Sequence, residues 1–157
     1  MKKYVRVMLG AKSVYAQQCY EGCFIGADFD IHEDLTNNLP ENWRDFNATY
    51  RSVWLENNPG KSRVAAGLAC GMLWTISKGI NKGDIVLCPD GEGHYYVGEV
   101  TSDYYYKPGE ILFHRRNVKW YPAVIERDIM SQELKNSSGS IGTTSDISKY
   151  AEELKPI

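Results

Sequence analysis

Aromatic and cationic side chains are concentrated between residues 82 and 120 of this 157-residue chain. Three consecutive tyrosines occupy positions 104–106, and the segment at residues 114–119 carries two arginines and a lysine. Aromatic rings stack on an unpaired base, and cationic side chains hold the phosphates on either side of it. These residue types at this spacing favour a protein that binds a nucleic acid.

Three aromatic side chains are candidates for the walls of a base pocket. Trp54 precedes a polar loop at residues 56–60, so its ring is expected to be partly exposed. Trp74 lies off the main apolar face of its predicted helix, and Tyr104 begins a run of three tyrosines that cannot all face the core. We predict that two or three of these rings form an aromatic cage, whereas Trp43 and Trp120 are predicted to pack in the core.

The segment Gly60-Lys61-Ser62 before a predicted helix matches half of a nucleotide-binding phosphate loop. The full motif needs a glycine five positions before Gly60, and Leu55 stands there instead, so nucleotide hydrolysis is not predicted. Lys61 and Arg63 at a helix start can still hold a phosphate of a nucleic-acid backbone. An ordinary helix-entry turn explains the same residues equally well.

Neither a metal site nor a catalytic site is predicted. Cys19 and Cys23 are followed by His32 with no second pair of ligands near it, which favours a packed cysteine pair over zinc binding. The acidic residues at positions 28–34 lack the spacing of a nuclease metal site and are typical of a solvated face. No histidine lies in a Ser/His/Asp or Cys/His context. The chain is therefore predicted not to be an enzyme and to need no cofactor.

The composition and charge are those of an ordinary globular domain. The formal net charge is −2, so a nucleic acid would be held by a local cationic patch rather than by bulk charge. The four cysteines form no disulfide framework, the amino terminus is too polar for a signal peptide, and no apolar stretch reaches transmembrane length. A cytoplasmic, reducing compartment without membrane contact is predicted.

The hydrophobic pattern predicts an α+β fold. Strands are predicted at residues 4–9, 24–29, 85–87, 95–100 and 111–121, and helices at residues 11–20, 43–46, 63–78, 126–135 and 146–154. The clearest helix is the one at residues 63–78. Its predicted apolar face consists of Ala65, Leu68, Ala69, Met72, Leu73 and Ile76.

A Ser- and Gly-rich segment at residues 136–142 predicts a division of the chain. Residues 1–135 are predicted to form the barrel domain, and residues 136–157 a linker and a last helix. Because that helix is polar and ends abruptly, we expect the chain to have been cut from a longer protein.

The ordered set of these segments resembles the PUA-like superfamily, and within it the EVE/YTH-like domains. The resemblance rests on KGDIVL at residues 82–87, YVGEV at residues 96–100 and HRRNVKW at residues 114–120. FIGADF at residues 24–29 and the loop at residues 54–60 add support. The chain is most similar to the N-terminal recognition domains of modification-dependent (type IV, Mrr-like) restriction endonucleases, and the resemblance covers residues 4–150.

This resemblance implies a small PUA-like β-barrel of five to six strands, flanked by helices, that accepts a base flipped out of double-stranded DNA. Trp54 would be one wall of the cage, with Trp74 and Tyr104 as candidates for the second. Asp28 or Asp30 would read an exocyclic amine of the modified base. The DNA backbone would be held by Lys61, Arg63, Arg115, Arg116 and Lys119. A nuclease, as a further domain of the same chain or in a neighbouring chain, would be the effector.

Three other functions stay open from the sequence. The first is an RNA-binding PUA-like domain that acts on modified RNA, which a preference for the 2′-hydroxyl would reveal. The second is a sensor whose cage binds a free nucleotide or another small ligand with little dependence on salt. Nucleic-acid binding should instead weaken steeply as salt rises. The third is a pure interaction domain.

Overall fold

The computed structural model describes residues 2–139 and 142–154, which form an α+β fold with a curled, half-barrel sheet of seven strands. The strands are β1 (Tyr4–Val7), β2 (Phe24–Ala27), β3 (Ile85–Pro89), β4 (His94–Val100), β5 (Tyr105–Tyr106), β6 (His114–Glu126) and β7 (Thr144–Asp146). The helices are α1 (Ala16–Gly22), α2 (Trp43–Asn57), α3 (Arg63–Trp74), α4 (Gln132–Ser138) and α5 (Ala151–Leu154). The predicted α+β class is confirmed, with one more strand than the predicted five to six.

The sheet has the strand order β2-β6-β4-β3-β1-β7, and β5 also pairs with β6. Only β1 and β3 are parallel among the described strands, and the other pairs are antiparallel. The long β6 pairs with three strands, so its side chains are surrounded on most sides. Because the sheet curls, the carboxyl ends of β1 and β2 reach the same cavity although they lie far apart in strand order.

Two apolar clusters lie on opposite faces of the sheet. Val86 and Cys88 of β3 belong to the larger cluster, with α2 and α3, whereas Ile85 and Leu87 belong to the smaller one. Successive side chains of a strand point to opposite faces, so a strand that is buried on both faces reads as a continuous apolar run.

The helices begin at side-chain caps. Asn42 accepts a hydrogen bond from the Asp45 amide at the start of α2, and Ser62 accepts one from the Ala65 amide at the start of α3. Each cap satisfies an amide that the first helical turn leaves without a partner. The helix α3 continues into a π-helical turn, Thr75–Gly79, so the continuous helix predicted at residues 63–78 changes its winding before its end.

Several predicted elements differ from the observed ones. Trp54 lies inside α2 and not in a loop before α3, because α2 extends to Asn57. The predicted apolar face of α3 is rotated, since Leu68 is 63% exposed while Ala66 and Cys70 are buried. Tertiary packing against α2 decides which side of such a mixed helix is covered.

The segment predicted as a linker contributes to the fold. Its strand β7 pairs with β1, and Ile147 and Leu154 are buried in the smaller cluster. The structure therefore shows no domain boundary at residue 135. The Ser- and Gly-rich stretch misled the prediction because α4 occupies most of its described part.

Candidate functional site

A cavity of about 530 Å³, the loop cavity, opens where the carboxyl ends of β1 and β2 meet the turn before β6. Cavities of this volume accept drug-sized and nucleoside-sized ligands. Its lining consists of Met8, Gly10, Ala11, Lys12, Val14, Tyr15, Gly26, Ala27, Asp28, Phe29, Leu112, Gly142 and Thr143. Most of these residues belong to loops, and the sheet holds the loops in place.

The backbone of the loop cavity is strained. Six residues other than glycine have left-handed φ angles in the described part of the chain, and five of them lie at this cavity. Lys12 (φ 55°), Phe29 (φ 47°) and Leu112 (φ 45°) line it, and Ser13 and Asp30 follow the first two directly. Each such residue costs about 1–2 kcal/mol. Strain of this kind is concentrated at functional sites.

Buried arginines fix two walls of the loop cavity. Arg115 donates to the carbonyl oxygens of Ile111 and Leu112 at 2.6 and 3.0 Å, which holds the turn that contains the strained Leu112. Its guanidinium also lies 3.8 Å from the centre of the Phe24 ring. Arg6 donates to the carbonyl oxygen of Gly142 at 2.8 Å. Both walls are therefore held by buried arginines, one on β1 and one on β6.

His114 anchors the loop that follows β2. It is fully buried, with Nε2 2.7 Å from the Ile31 carbonyl oxygen and Nδ1 2.7 Å from the Tyr104 hydroxyl. Because a carbonyl only accepts, Nε2 carries the proton and Nδ1 accepts from Tyr104. The Tyr104 oxygen in turn accepts from the Leu35 amide. Burial lowers the pKa of His114 to about 4, so the ring is neutral at physiological pH.

The two charged side chains that line the loop cavity, Lys12 and Asp28, have no strong partners among the described residues. Lys12 is exposed and forms no ion pair within the described residues, and the Asp28 carboxylate accepts only a weak bond from the Asp30 amide at 3.4 Å. The rings of Tyr15 and Phe29 are half-buried beside them. The cavity thus offers one cation, one anion and two aromatic rings to a ligand.

A second cavity of about 730 Å³, the helix cavity, lies against the π-helical turn. Its lining consists of Thr36, Leu39, Glu41, Trp74, Ser77, Lys78, Gly79, Ile80, Asn81, Lys82, Asp103, Tyr104 and Arg116. Two of the rings predicted to read a base, those of Trp74 and Tyr104, lie here together with three cations.

The cations and the indole of the helix cavity already have partners within the protein. The Arg116 guanidinium donates to the carbonyl oxygens of Ser102, Ile76, Ser77 and Ile80. The Trp74 indole donates to the Pro40 carbonyl at 2.8 Å. Lys78 and Lys82 lie 3.6 and 3.7 Å from the carboxylates of Glu41 and Asp103. The polar groups of the helix cavity therefore hold the end of α3 and its π-helical turn against β6.

The residues predicted to form one base pocket are dispersed. Asp28 lines the loop cavity, and Asp30 lies beside it. Trp74 and Tyr104 line the helix cavity instead. Trp54 is only 9% exposed and packs in the larger core cluster, so its ring is no wall of an open pocket. The prediction placed it in a loop, whereas the extension of α2 buries it.

The residues predicted to hold a nucleic-acid backbone fall into two groups. Arg115 and Arg116 are 5% and 3% exposed and bind backbone carbonyls, so the prediction that they contact phosphates is wrong. Both lie on the part of β6 that pairs with β2, and Arg115 also pairs with Tyr105 of β5 on the other side. Lys61, Arg63 and Lys119 are exposed, and none of them lines either cavity.

Sequence reasoning missed Lys12, Tyr15 and Phe29. The signal for the first two was the stretch Gly10-Ala11-Lys12-Ser13, a turn between a strand and a helix. Phe29 belongs to the strand predicted at residues 24–29, whereas the observed β2 ends at Ala27 and leaves Phe29 in the following loop. Nothing in the local pattern shows that these two turns come together.

A family model described as "Domain of unknown function (DUF8426)" matches residues 6–147. The chain belongs to the DUF8426 family. The matched region includes all lining residues of the loop cavity and crosses the predicted boundary at residue 135. No curated protein and no solved structure matches this DUF8426 chain. Its resemblance to the EVE/YTH-like domains stays a prediction.

Three general features of this DUF8426 domain bear on its chemistry. Within residues 2–139 and 142–154, no helix is long and apolar enough to cross a membrane. Over the same residues, no three His, Cys, Asp or Glu side chains are placed to hold a metal ion. All four cysteines are unpaired, and burial raises the pKa of Cys19 to about 12.

Proposed function

We propose that this domain recognises a modified base that is flipped out of double-stranded DNA into the loop cavity, as a PUA-like reader that directs a nuclease. The supporting observation is the uncommitted pair Lys12 and Asp28 beside the rings of Tyr15 and Phe29, on a strained and rigidly held backbone. A planar ligand with both hydrogen-bond donors and acceptors fits these groups.

The rings, the carboxylate, the ammonium and the apolar side chains of the loop cavity would contact different parts of the flipped base. The ring of Phe29 or Tyr15 stacks on the base, which contributes about 1–3 kcal/mol. The Asp28 carboxylate accepts a hydrogen bond from an exocyclic amine, and the Lys12 ammonium donates to a carbonyl oxygen of the base or to a phosphate. The apolar side chains of Val14 and Leu112 in the lining suit an added methyl group, which contributes about 1 kcal/mol.

We assign contacts with the DNA backbone to two exposed cations at the start of α3, Lys61 just before the helix and Arg63 at its first position. Met72 of α3 lies against the cavity wall, because its sulfur accepts from the Thr143 amide at 3.1 Å. Arg63, at the other end of α3, is nine residues away, or roughly 14 Å along the helix axis. That distance corresponds to roughly four steps of B-form DNA. Lys61 and Arg63 would therefore hold phosphates a few steps from the flipped base.

A second candidate function is the binding of a free nucleoside or another small ligand. Four exposed carboxylates follow β2 along the chain, and the first of them lines the loop cavity: Asp28, Asp30, Glu33 and Asp34. Negative charge there opposes the approach of a phosphate backbone. A neutral ligand would meet no such barrier, and its binding would depend little on salt.

Binding to matched short duplexes tests the proposal. The duplexes carry cytosine, 5-methylcytosine, 5-hydroxymethylcytosine or N6-methyladenine, and each is titrated at two salt concentrations. Preference for one modified duplex, with affinity falling as salt rises, is the expected result. The same affinity for every duplex would contradict base reading, and tight binding of the free nucleoside alone would establish the second candidate.

Two variants assign the binding to the loop cavity. Asp28→Asn and Phe29→Leu should each lower the affinity for the preferred duplex by about tenfold or more. Asp128→Asn is the matched control, because Asp128 is an exposed carboxylate distant in sequence from the cavity lining and should bind like the wild type. Unchanged binding by Asp28→Asn and Phe29→Leu would place the site elsewhere.

A further inference from the structure

Three aromatic rings form a partly exposed cluster, and none of them lines either cavity. Tyr20 of α1, Tyr96 of β4 and Trp120 of β6 make up this aromatic platform. The ring centres of Tyr20 and Tyr96 are 4.4 Å apart, and each lies 5.8 Å from that of Trp120. All three side chains are only partly buried, so the platform reaches the surface.

The platform is rigid. The Trp120 indole donates to the Cys19 carbonyl at 3.2 Å, and its ring rests on Gly98, where a Cβ would lie 2.7 Å from the ring. Only glycine leaves room for this approach. Rings held in a fixed position lose little conformational freedom when a partner binds.

An exposed apolar residue extends the platform along the sheet. Val124 stands directly opposite Tyr96 in the β4–β6 pairing and is 43% exposed. The core side chains, in contrast, are at most 9% exposed. An exposed apolar and aromatic patch of this kind marks an interaction surface.

Carboxylates lie near Tyr96, one of the three rings of the platform. Burial of the Tyr96 hydroxyl and the nearby charges of Asp90, Glu92 and Glu21 raise the pKa of Tyr96. Glu21 and Glu92 are exposed, and neither forms an ion pair within the described residues. Asp90 is bound to His94 at 3.4 Å. The charge that remains free beside the rings is therefore negative.

We propose that the aromatic platform is a docking surface for an arginine-rich segment of a partner protein. A guanidinium stacks flat on aromatic rings and at the same time pairs with a carboxylate through two parallel hydrogen bonds. A lysine ammonium makes the second contact less well because it has no planar fork. A nucleic acid is disfavoured here, since the carboxylates repel its phosphates. The inference does not depend on the function of the loop cavity.

The test is an NMR titration of the ¹⁵N-labelled full chain with a hexa-arginine peptide and, separately, a hexa-lysine peptide. The expected result is saturable shifts of the Trp120 indole and the Gly98 amide, with tighter binding of hexa-arginine. Shifts confined to the acidic loop at residues 28–34, or no shifts at all, would overturn the proposal.

Charge-reversed variants distinguish docking from general attraction to an acidic protein. The double variant Glu21→Lys/Glu92→Lys should bind hexa-arginine about tenfold more weakly. Glu56→Lys/Glu133→Lys changes the net charge equally at exposed carboxylates on α2 and α4, and should weaken binding less than about threefold. An equal effect of both double variants would contradict a defined docking surface.

A third variant tests the rings while it keeps the charges. Tyr20→Ala should reduce binding of hexa-arginine by about threefold to tenfold and remove the preference for arginine over lysine, because the preference comes from stacking. A preference that persists in this variant would show that the rings take no part. The amide spectrum of each variant establishes that the fold is retained.

Discussion

The loop cavity and the helix cavity are comparable in volume, about 530 and 730 Å³, and both present aromatic and cationic side chains. In the helix cavity the arginine, the indole and both lysines already have partners within the protein. In the loop cavity Lys12 and Asp28 lack strong partners, and the backbone around them is strained. Residue types alone would favour the helix cavity. The charged groups that lack strong partners favour the loop cavity as the binding site.

The largest expected effect is on the helix cavity. Arg116→Met should lower the free energy of unfolding by about 3–5 kcal/mol, because buried carbonyls that lose a hydrogen bond cost about 1–3 kcal/mol each. Lys82→Met in the same cavity should change it by less than about 1 kcal/mol, since its ion pair is exposed. Urea denaturation measures both. If Arg116→Met were as stable as the wild type, the guanidinium would be available to a ligand and the contrast between the cavities would be lost.

The next effect concerns the close approach of Gly26 of β2 to the backbone of Leu112 and His114 beside the loop cavity. A Cβ on Gly26 would lie 2.6 Å from the Leu112 carbonyl oxygen and 2.8 Å from that of His114. Gly26→Ala should therefore lower the free energy of unfolding by about 2–3 kcal/mol, as the β2–β6 pairing must shift. Gly71→Ala is the control: a Cβ there has no neighbour within 4 Å, and the change should stabilise α3 by about 0.5–1 kcal/mol. Thermal unfolding distinguishes the two signs.

The third prediction concerns the buried His114, which makes the stability of the protein depend on pH. Its pKa of about 4 in the folded protein lies below the ordinary value of 6.5, so the unfolded chain binds the proton more readily. The stabilisation is complete above pH 6.5 and is lost as the pH falls toward 4. Linkage gives a loss of about 2 kcal/mol between pH 7 and pH 5. Denaturation of the wild type and of His114→Gln at both pH values measures it, and an equal loss in the variant would assign the effect to other groups.

The smallest effect tests the strain at the loop cavity. Lys12→Gly and Lys12→Ala both remove the ammonium, but only glycine relieves the left-handed backbone at φ 55°. Lys12→Gly should therefore be more stable than Lys12→Ala by about 1 kcal/mol. Both should bind the preferred ligand more weakly than the wild type. Equal stability of the two variants would show that the turn is not strained.

The local sequence determined the elements whose signals are local. The apolar run of β3, the strands at β1 and β2, and α3 with its Ser62 cap follow from hydrophobic spacing and capping chemistry within a few residues. These features depend on neighbours along the chain, so a pattern of residue types is enough to predict them.

Tertiary structure alone decided which side chains meet. Arg116 binds carbonyls 14 to 40 residues away in the chain, and His114 binds Ile31 across 83 residues, so their burial has no local signal. The curl of the sheet brings the turns with Lys12 and Phe29 together and sends Trp74 to a different cavity. The sequence by itself determines that the chain contains aromatic and cationic side chains that can bind a ligand. The long-range pairing of β6 determined which of them are free, because a buried charge must find its partners inside the fold.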